Sequence, residues 1–584
     1  MCGISGFNWE DEKKIQNMVN LLSHRGPDAN GVFIDKGISL GHNRLSIIDL
    51  SQVANQPMTD NSGDLTIVYN GEIYNFKELK SVLKDEYEFK TGSDTEVILA
   101  GYLKWGKDVV ERLNGMFAFA IWDKRDGSLF CARDHVGMKP LYYYWDGAKF
   151  IFASEIKAIF THDISKTLDV EAFNHYLRIL YVPEPMTLIK NIYKLPPSHT
   201  LRLEGEKLAV EKYSQNKPAS SDLSYTEVVS ELRRKVMQAV ERHLVSDVPV
   251  GVYLSGGIDS STVLYCMSRF QKDINTFTIG FDLTLGQEQE KFNSDFILAQ
   301  KTADFFNTTH HEVRISVSDA LSVFEEASIA NSDPISNPTL IAMLSLARHA
   351  RSHVKVALTG NGGDELFGGY DRYKTALLAR FLYTPSALFA KFMFQKDDLL
   401  SRSISSELII NTEKIKGYYQ KYLTGSDMAE KLMSADRQSW LPEHFFMLSD
   451  KMSMANSLEE RMPFADKEIV QFGMSLPRKY KVDLRDTKKV LKDAFRDDLP
   501  PHLFNQPKRG WFSPAAKWLR NEEFADMVRK TFSPEYYQGT KSIFNWASLE
   551  LMLEKHIDKR EYNLTMIWAI FTFQVWAKQH NVEL

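Results

Sequence analysis

Residues 248–270 constrain the fold most: an apolar run, VPVGVYL, passes through SGGIDSS straight into STVLYCMSRF, which has a helical pattern. Strand, glycine turn and helix follow in that order, and a strand that leaves by a helix can rejoin its sheet only through a crossover, which makes its neighbours parallel. INTFTIGF and VKVALTG supply a second and a third strand, with helical patterns between them. This half therefore reads as a parallel α/β unit, and the chain beyond about Tyr370 as mostly helical.

The first part has a different texture. GISLGHNRLSIIDL, DLTIVYNGEIYN, GMFAFAIWD and GSLFCARD alternate short apolar runs with turn residues, with a helical pattern over residues 93–105, which predicts strands with a few helices. At 584 residues the chain exceeds what one core organises, so two domains are expected. The polar stretch SQNKPASSDLSYTE reads as a linker and divides residues 1–213 from 214–584. Just beyond it, Ser224 and Glu227 have capping-box spacing for an amphipathic helix running toward Leu244.

Composition excludes several classes of function. A formal net charge of -5 with no basic stripe argues against a nucleic-acid partner. No stretch has the length and apolarity of a membrane-spanning helix, and the opening MCGISGFNWEDEKK lacks the form of a secretory leader. The apolar segment 566–577, MIWAIFTFQVWA, is about the length of a buried terminal helix. The three cysteines, Cys2, Cys131 and Cys266, are too few for a disulfide framework and are not spaced for zinc, which points to the cytoplasm. Cys131 and Cys266 lie in apolar patterns and read as inert core residues. The sequence leaves the assembly state open, a homodimer being one option.

Cys2 would carry a free α-amine beside its thiol once Met1 is removed. An amine with a pKa of roughly 7.7 to 8.0 can take a thiol proton near neutral pH, so one residue could serve as nucleophile and base. Alone, Cys2 would be an incidental residue at a frayed terminus. Its company is specific: MCGISGF, HRGPD, HNRLSIIDL, YNGEIYN, GSDTEVIL and RDHVGMKPLYY occur in one order over the first third of the chain.

Those segments resemble the glutaminase domain of class II amidotransferases, and the chain as a whole resembles the glutamine-hydrolysing asparagine synthetase family. The resemblance implies an α+β N-terminal nucleophile hydrolase domain of layered antiparallel sheets with helices. An α/β parallel-sheet ATP-pyrophosphatase domain with a mostly helical C-terminal part would follow it. It also implies that Arg44 and Asp94 hold the α-carboxylate and α-amine of glutamine, with Glu72 at the ammonium end and Leu45 and Ile47 completing the pocket. Asn70 and the Gly71 amide would form the oxyanion hole beside Cys2.

SGGIDSS resembles the pyrophosphate loop of ATP pyrophosphatases and lacks a Walker lysine. By that resemblance Ser255, Gly256, Gly257, Asp259, Ser260 and Ser261 contact phosphate, Leu254 and Ile279 flank the adenine, and Thr359 and Gly360 of LTGNGGDELFGGY lie by the nucleotide. Asp259 and Asp364, with Glu365 beside it, offer carboxylates suited to Mg²⁺. SDKMSMANSLEERMPFAD resembles the family's segment with Glu459, Arg461, Pro463, Phe464 and Asp466, and LPPHLFNQPKRGWFSP places Lys508 at the catalytic lysine. Asn361 departs from the pattern, because the family carries an acid there. The implied activity is ATP- and Mg²⁺-dependent transfer of glutamine nitrogen to an adenylated carboxylate, aspartate first, with a sugar uronic acid or a non-enzymatic relative as alternatives.

Overall fold

The computed structural model describes residues 2–213, 223–283, 291–379, 381–504 and 513–584. Most of the expected linker and all of the segment around Lys508 lie outside them. The first part folds into two six-stranded antiparallel sheets. One runs Ile192–Lys194, Tyr142–Trp145, Phe150–Ala153, Gly3–Phe7, Ile38–Arg44, Ala29–Asp35. The other runs Lys207–Lys212, His199–Glu204, Ser128–Arg133, Gly115–Asp123, Leu65–Ile73, Met58–Thr59.

Strand alternation explains why the sheets stack. In Gly115–Asp123, Phe117, Phe119 and Ile121 pack against the helices Phe76–Leu83 and Thr95–Trp105. Ala118, Ala120 and Trp122 point the other way, onto Ile4, Leu40 and Phe152 of the facing sheet. Period-2 alternation thus feeds two cores from one strand, giving the layered α+β domain that the motifs imply.

The second part holds a five-stranded parallel sheet in the order Thr309–Ile315, Asn275–Phe281, Val250–Tyr253, Val356–Leu358, Glu459–Arg461. The three anticipated strands are its centre. The two edge strands are a correction: THHEVRI is half polar and EER is wholly charged, so neither shows the apolar run by which a buried strand is recognised. Among the described residues beyond Tyr370 the chain is mostly helical, as expected, with Glu459–Arg461 as its one strand. The helix Tyr225–His243 begins at the anticipated capping box, Ser224 accepting from the Glu227 amide while the Glu227 carboxylate takes the Ser224 amide at 2.8 Å.

Among the described residues no helix is long and apolar enough to cross a membrane. The apolar late segment lies in Leu564–His580, buried on nearly every face as a core helix must be. It joins the two parts: the Tyr176 hydroxyl donates to the Ala569 carbonyl at 2.8 Å, and Trp576 Nε1 to the Ser332 carbonyl at 2.8 Å. Trp568, fully buried against Phe324 and Phe524, is at its centre. Trp568→Ala is expected to lower stability by about 3–5 kcal/mol through cavity formation, measured by urea unfolding of the whole chain.

Candidate active sites joined by one buried strand

Cys2 sits where the two antiparallel sheets meet. Its nitrogen donates to Asn70 Oδ1 at 3.0 Å, and Arg25 Nε donates to its carbonyl at 3.1 Å. Asn70 is wholly buried and its Nδ2 has no hydrogen-bond partner among the described residues, so one donor is left over beside the thiol. A Cβ on Gly71 would stand 2.1 Å from the Met116 carbonyl oxygen, so only glycine lets these two strands approach here. The pocket beside Cys2 encloses about 390 Å³ including its open mouth, and Arg44, Leu45, Ile47, Gly71, Glu72 and Asp94 line it. The resemblance assigned all six to this pocket; Glu459, which it gave only as part of a later family segment, reaches the same pocket from the second part of the chain.

The charges in this pocket are arranged by partner. Arg44 donates to the carbonyls of Ser51 at 2.8 Å and of Asp49, and to Asn55 Oδ1 at 2.8 Å. Among the described residues no carboxylate pairs with it, so its charge remains for a ligand. Asp94 takes the Tyr69 hydroxyl at 2.7 Å and the Ile73 amide at 2.8 Å, and burial raises its carboxyl. Burial and then Asp94 push Glu72 well above the ordinary range. Glu72 Oε2 accepts from Arg461 at 2.8 Å, while Oε1 has no hydrogen-bond partner among the described residues. Burial also raises the Cys2 thiol, opposed by the chain's terminal ammonium.

The second site lies at the carboxyl ends of the parallel strands. Connections leave Val250–Tyr253 and its neighbour Val356–Leu358 toward opposite edges of the sheet, which opens a crevice between them. Ser255, Gly256 and Gly257 turn into helix Ile258–Ser268, with Gly257 as an N-cap that contributes no side chain. Ser255 Oγ meets Ser260 Oγ at 2.9 Å, and Ser261 donates to the Gly257 carbonyl at 2.8 Å, which fixes the loop. A Cβ on Gly360 would lie 2.6 Å from the Ser260 nitrogen, so the Thr359–Gly360 turn is pressed against this loop. Leu254 and Ile279 are buried at its floor.

Asp259 and Asp364 come together around a residue that the sequence reading passed over. Lys488 Nζ pairs with Asp364 at 2.6 Å and with Asp259. Burial disfavours its charge, but the two carboxylates outweigh burial and hold the ammonium above its usual value. One signal was available: Lys488 precedes helix Lys489–Phe495, and a cation at a helix start opposes the dipole unless acids receive it. Glu365 turns away, buried and accepting the Tyr370 hydroxyl at 2.5 Å.

One three-residue strand serves both sites. Arg461 lies fully buried between Glu72 and Glu459, with Nε 2.6 Å from the Glu459 carboxylate, while its carbonyl accepts the Thr359 amide at 2.9 Å. Glu460 points to the other face, where it accepts the Ser449 hydroxyl, and Asn361 Nδ2 donates to Ser449 Oγ at 3.2 Å. The acid missing at Asn361 is thus matched by an acid on the adjacent strand. Arg25 adds a second tie, joining the Cys2 carbonyl to Asp450 at 2.9 Å.

Family models match in the same order: a glutamine amidotransferase domain over residues 1–214 and asparagine synthase over residues 231–578. The chain belongs to the glutamine-hydrolysing asparagine synthetase family. It is 33% identical to asparagine synthetase [glutamine-hydrolyzing] 1 of Bacillus subtilis (strain 168), across 100% of this chain and 97% of that one. It is 32% identical to asparagine synthetase [glutamine-hydrolyzing] 3 of the same organism, across 94% and 89%. A fungal relative, amidase chry2 of Gibberella zeae, is 27% identical across 89% of this chain and 90% of its own. As a family member the chain is a glutamine-dependent amidotransferase with an ATP-using synthetase part, a carbon–nitrogen ligase and not a non-enzymatic relative.

Burial lifts the Glu460 carboxyl from an ordinary 4.5 to about 7, against the Ser449 hydroxyl that favours its ionised form. The folded value is the higher one, so the fold favours the protonated carboxyl. That stability is complete below about 4.5 and is lost as pH rises toward about 7. Glu460→Gln is expected to flatten this fall, seen by comparing urea midpoints of variant and parent across the same pH window.

Proposed function

We propose that this enzyme converts aspartate to asparagine with release of AMP and diphosphate, using ammonia freed from glutamine at Cys2. The observation that carries the reading is strand Glu459–Arg461, with one residue turned to the Cys2 pocket and the next toward Asn361. We read this buried strand as the border that ammonia passes on its way from the Cys2 pocket to the second site. In water it would become ammonium and lose its nucleophilic lone pair. Relatives that carry the synthetase name over nearly their whole length support aspartate as the acceptor. The three free cysteines support a reducing compartment, the cytoplasm.

With Met1 removed, the Cys2 nitrogen held by Asn70 becomes the amine that takes the thiol proton. The thiolate attacks the glutamine side-chain amide carbon, the C–N bond breaks, ammonia leaves with that proton, and water then hydrolyses the thioester to glutamate. Arg44 receives the α-carboxylate, and Asp94 and Glu72 the α-ammonium, between the walls formed by Leu45 and Ile47. Asn70 Nδ2 and the Gly71 amide face the oxyanion.

At the second site an acceptor carboxylate oxygen attacks the α-phosphorus of ATP and diphosphate leaves; ammonia then attacks the acyl carbon and AMP leaves. Ser255, Gly256, Gly257, Ser260 and Ser261 cradle the phosphates at the helix start. Leu254, Ile279, Thr359 and Gly360 seat the nucleoside. Lys488 is a cation we assign to the departing phosphates; Lys508, which the resemblance places at the catalytic lysine, lies outside the described residues. Asp259 and Asp364 already converge on one cation, so two hard oxygen donors fit Mg²⁺, which when bound supplies charge neutralisation at the diphosphate. Glu460, two hydrogen bonds from Asn361, is the acid available for the proton transfer that an amide cannot perform.

A second reading, amidation of a different carboxylate, is favoured by Asn361 itself and by the amidase-named relative. Diphosphate release with ATP, glutamine and a panel of carboxylic acids, with product masses recorded, separates the two. Aspartate should be the acid that yields diphosphate and a product carrying the new amide, and turnover confined to another acid sinks the first reading. Cys2→Ala should abolish glutamine use and leave synthesis from added ammonium intact. Lys488→Met should cut diphosphate release by roughly 10²–10³-fold while glutamate production without ATP persists.

A further inference from the structure

The parallel sheet carries the nucleotide loop at the carboxyl ends of its strands, and its opposite end holds a cluster that neither site uses. His311 lies early in edge strand Thr309–Ile315, His349 in the last turn of helix Thr339–Arg351, and His353 just past that helix, before strand Val356–Leu358. Each offers one ring nitrogen, and these nitrogens all lie within 4.8 Å of one another. We propose that His311, His349 and His353 form a binding site for a borderline divalent transition cation, of which Zn²⁺ is the prime case, with solvent completing the coordination.

The competing account is packing, since His311 stacks on Phe277 with ring centroids 5.0 Å apart. Packing alone leaves two features without a reason. His349 Nε2 is buried and has no hydrogen-bond partner among the described residues, although a buried ring nitrogen ordinarily finds one. His311 Nε2 donates to Asn275 Oδ1 at 2.9 Å, which fixes the tautomer and turns the Nδ1 lone pair outward, as second-layer partners do for metal-bound imidazoles. Burial and the neighbouring imidazoles disfavour protonation of His311 and His349, leaving their lone pairs for a metal.

The donor set selects the ion. Three nitrogens and no carboxylate suit zinc, cobalt or nickel and not the hard cations Mg²⁺ and Ca²⁺. Zinc–nitrogen bonds of about 2.0–2.1 Å require the three nitrogens to draw together by small rotations of all three rings, the exposed His353 having the most room to move. A bound ion would clip the edge strand to the end of the helix, far from the reacting groups, so its effect is on stability and not on turnover.

The test uses full-length chelator-stripped protein with Cys2→Ala in every sample, so that the thiol does not compete for metal. Zn²⁺ is titrated against a chromophoric chelator, and Co²⁺ absorption reports the coordination. The parent should take up one equivalent of Zn²⁺ and unfold at a higher temperature with it. H353Q, altered at an exposed position and with an unchanged circular dichroism spectrum, should bind roughly tenfold or more weakly and lose the thermal shift. His349→Gln should behave in the same way. Equal uptake and equal thermal shift in parent and H353Q, or no uptake by the parent at micromolar zinc, overturns the proposal.

Discussion

The Arg461 guanidinium, shut away from water between Glu72 and Glu459, is the interaction on which the rest of the molecule depends. Two buried carboxylates and one buried cation are tolerable only as a set, because any one alone would bear the full cost of desolvation. That condition locks Glu72, on a strand of the antiparallel layers, to the edge of the parallel sheet. The peptide of Arg461 is in turn bonded to Thr359, at the mouth of the nucleotide crevice. The two pockets are therefore held at fixed separation by electrostatics and backbone pairing together.

The same economy governs Lys488. A lysine buried between Asp259 and Asp364 screens two acids that would otherwise repel each other across the crevice. Glycines make it compact: the close approach of Gly360 to Ser260 leaves no volume for a side chain. The C-terminal helix then packs against both parts of the chain, so the fold that carries the two sites has one continuous core beneath them.

The pocket around Cys2 was legible because its residues are contiguous in short motifs, and a motif fixes local geometry. Arg44 ends one strand and Leu45 and Ile47 follow it, Asn70, Gly71 and Glu72 lie on another, and Asp94 precedes a helix. The glycine loop was legible for the same reason. The roles of Glu460 and Lys488 were not, because charged residues in a row resemble a solvated surface until their partners are known. Lys488 meets Asp259 from 229 residues away, and Arg461 of the same strand as Glu460 meets Glu72 from 389 residues away. Lys508, the cation that the motif pattern suggested, falls outside the described residues.

By itself the sequence determined the classes of structure: alternation at period two gave stacked antiparallel strands, and the strand–glycine–helix succession gave a parallel sheet with a glycine turn at a helix start. These depend on neighbours in the chain, and local sterics and hydrophobic burial act over a few residues. Only the tertiary structure decided which charges are buried, which carboxylate faces Asn361, which lysine joins the two aspartates, and that three histidines meet behind the sheet. Electrostatic partnership is a matter of distance through space, and distance through space becomes readable only when the chain has folded.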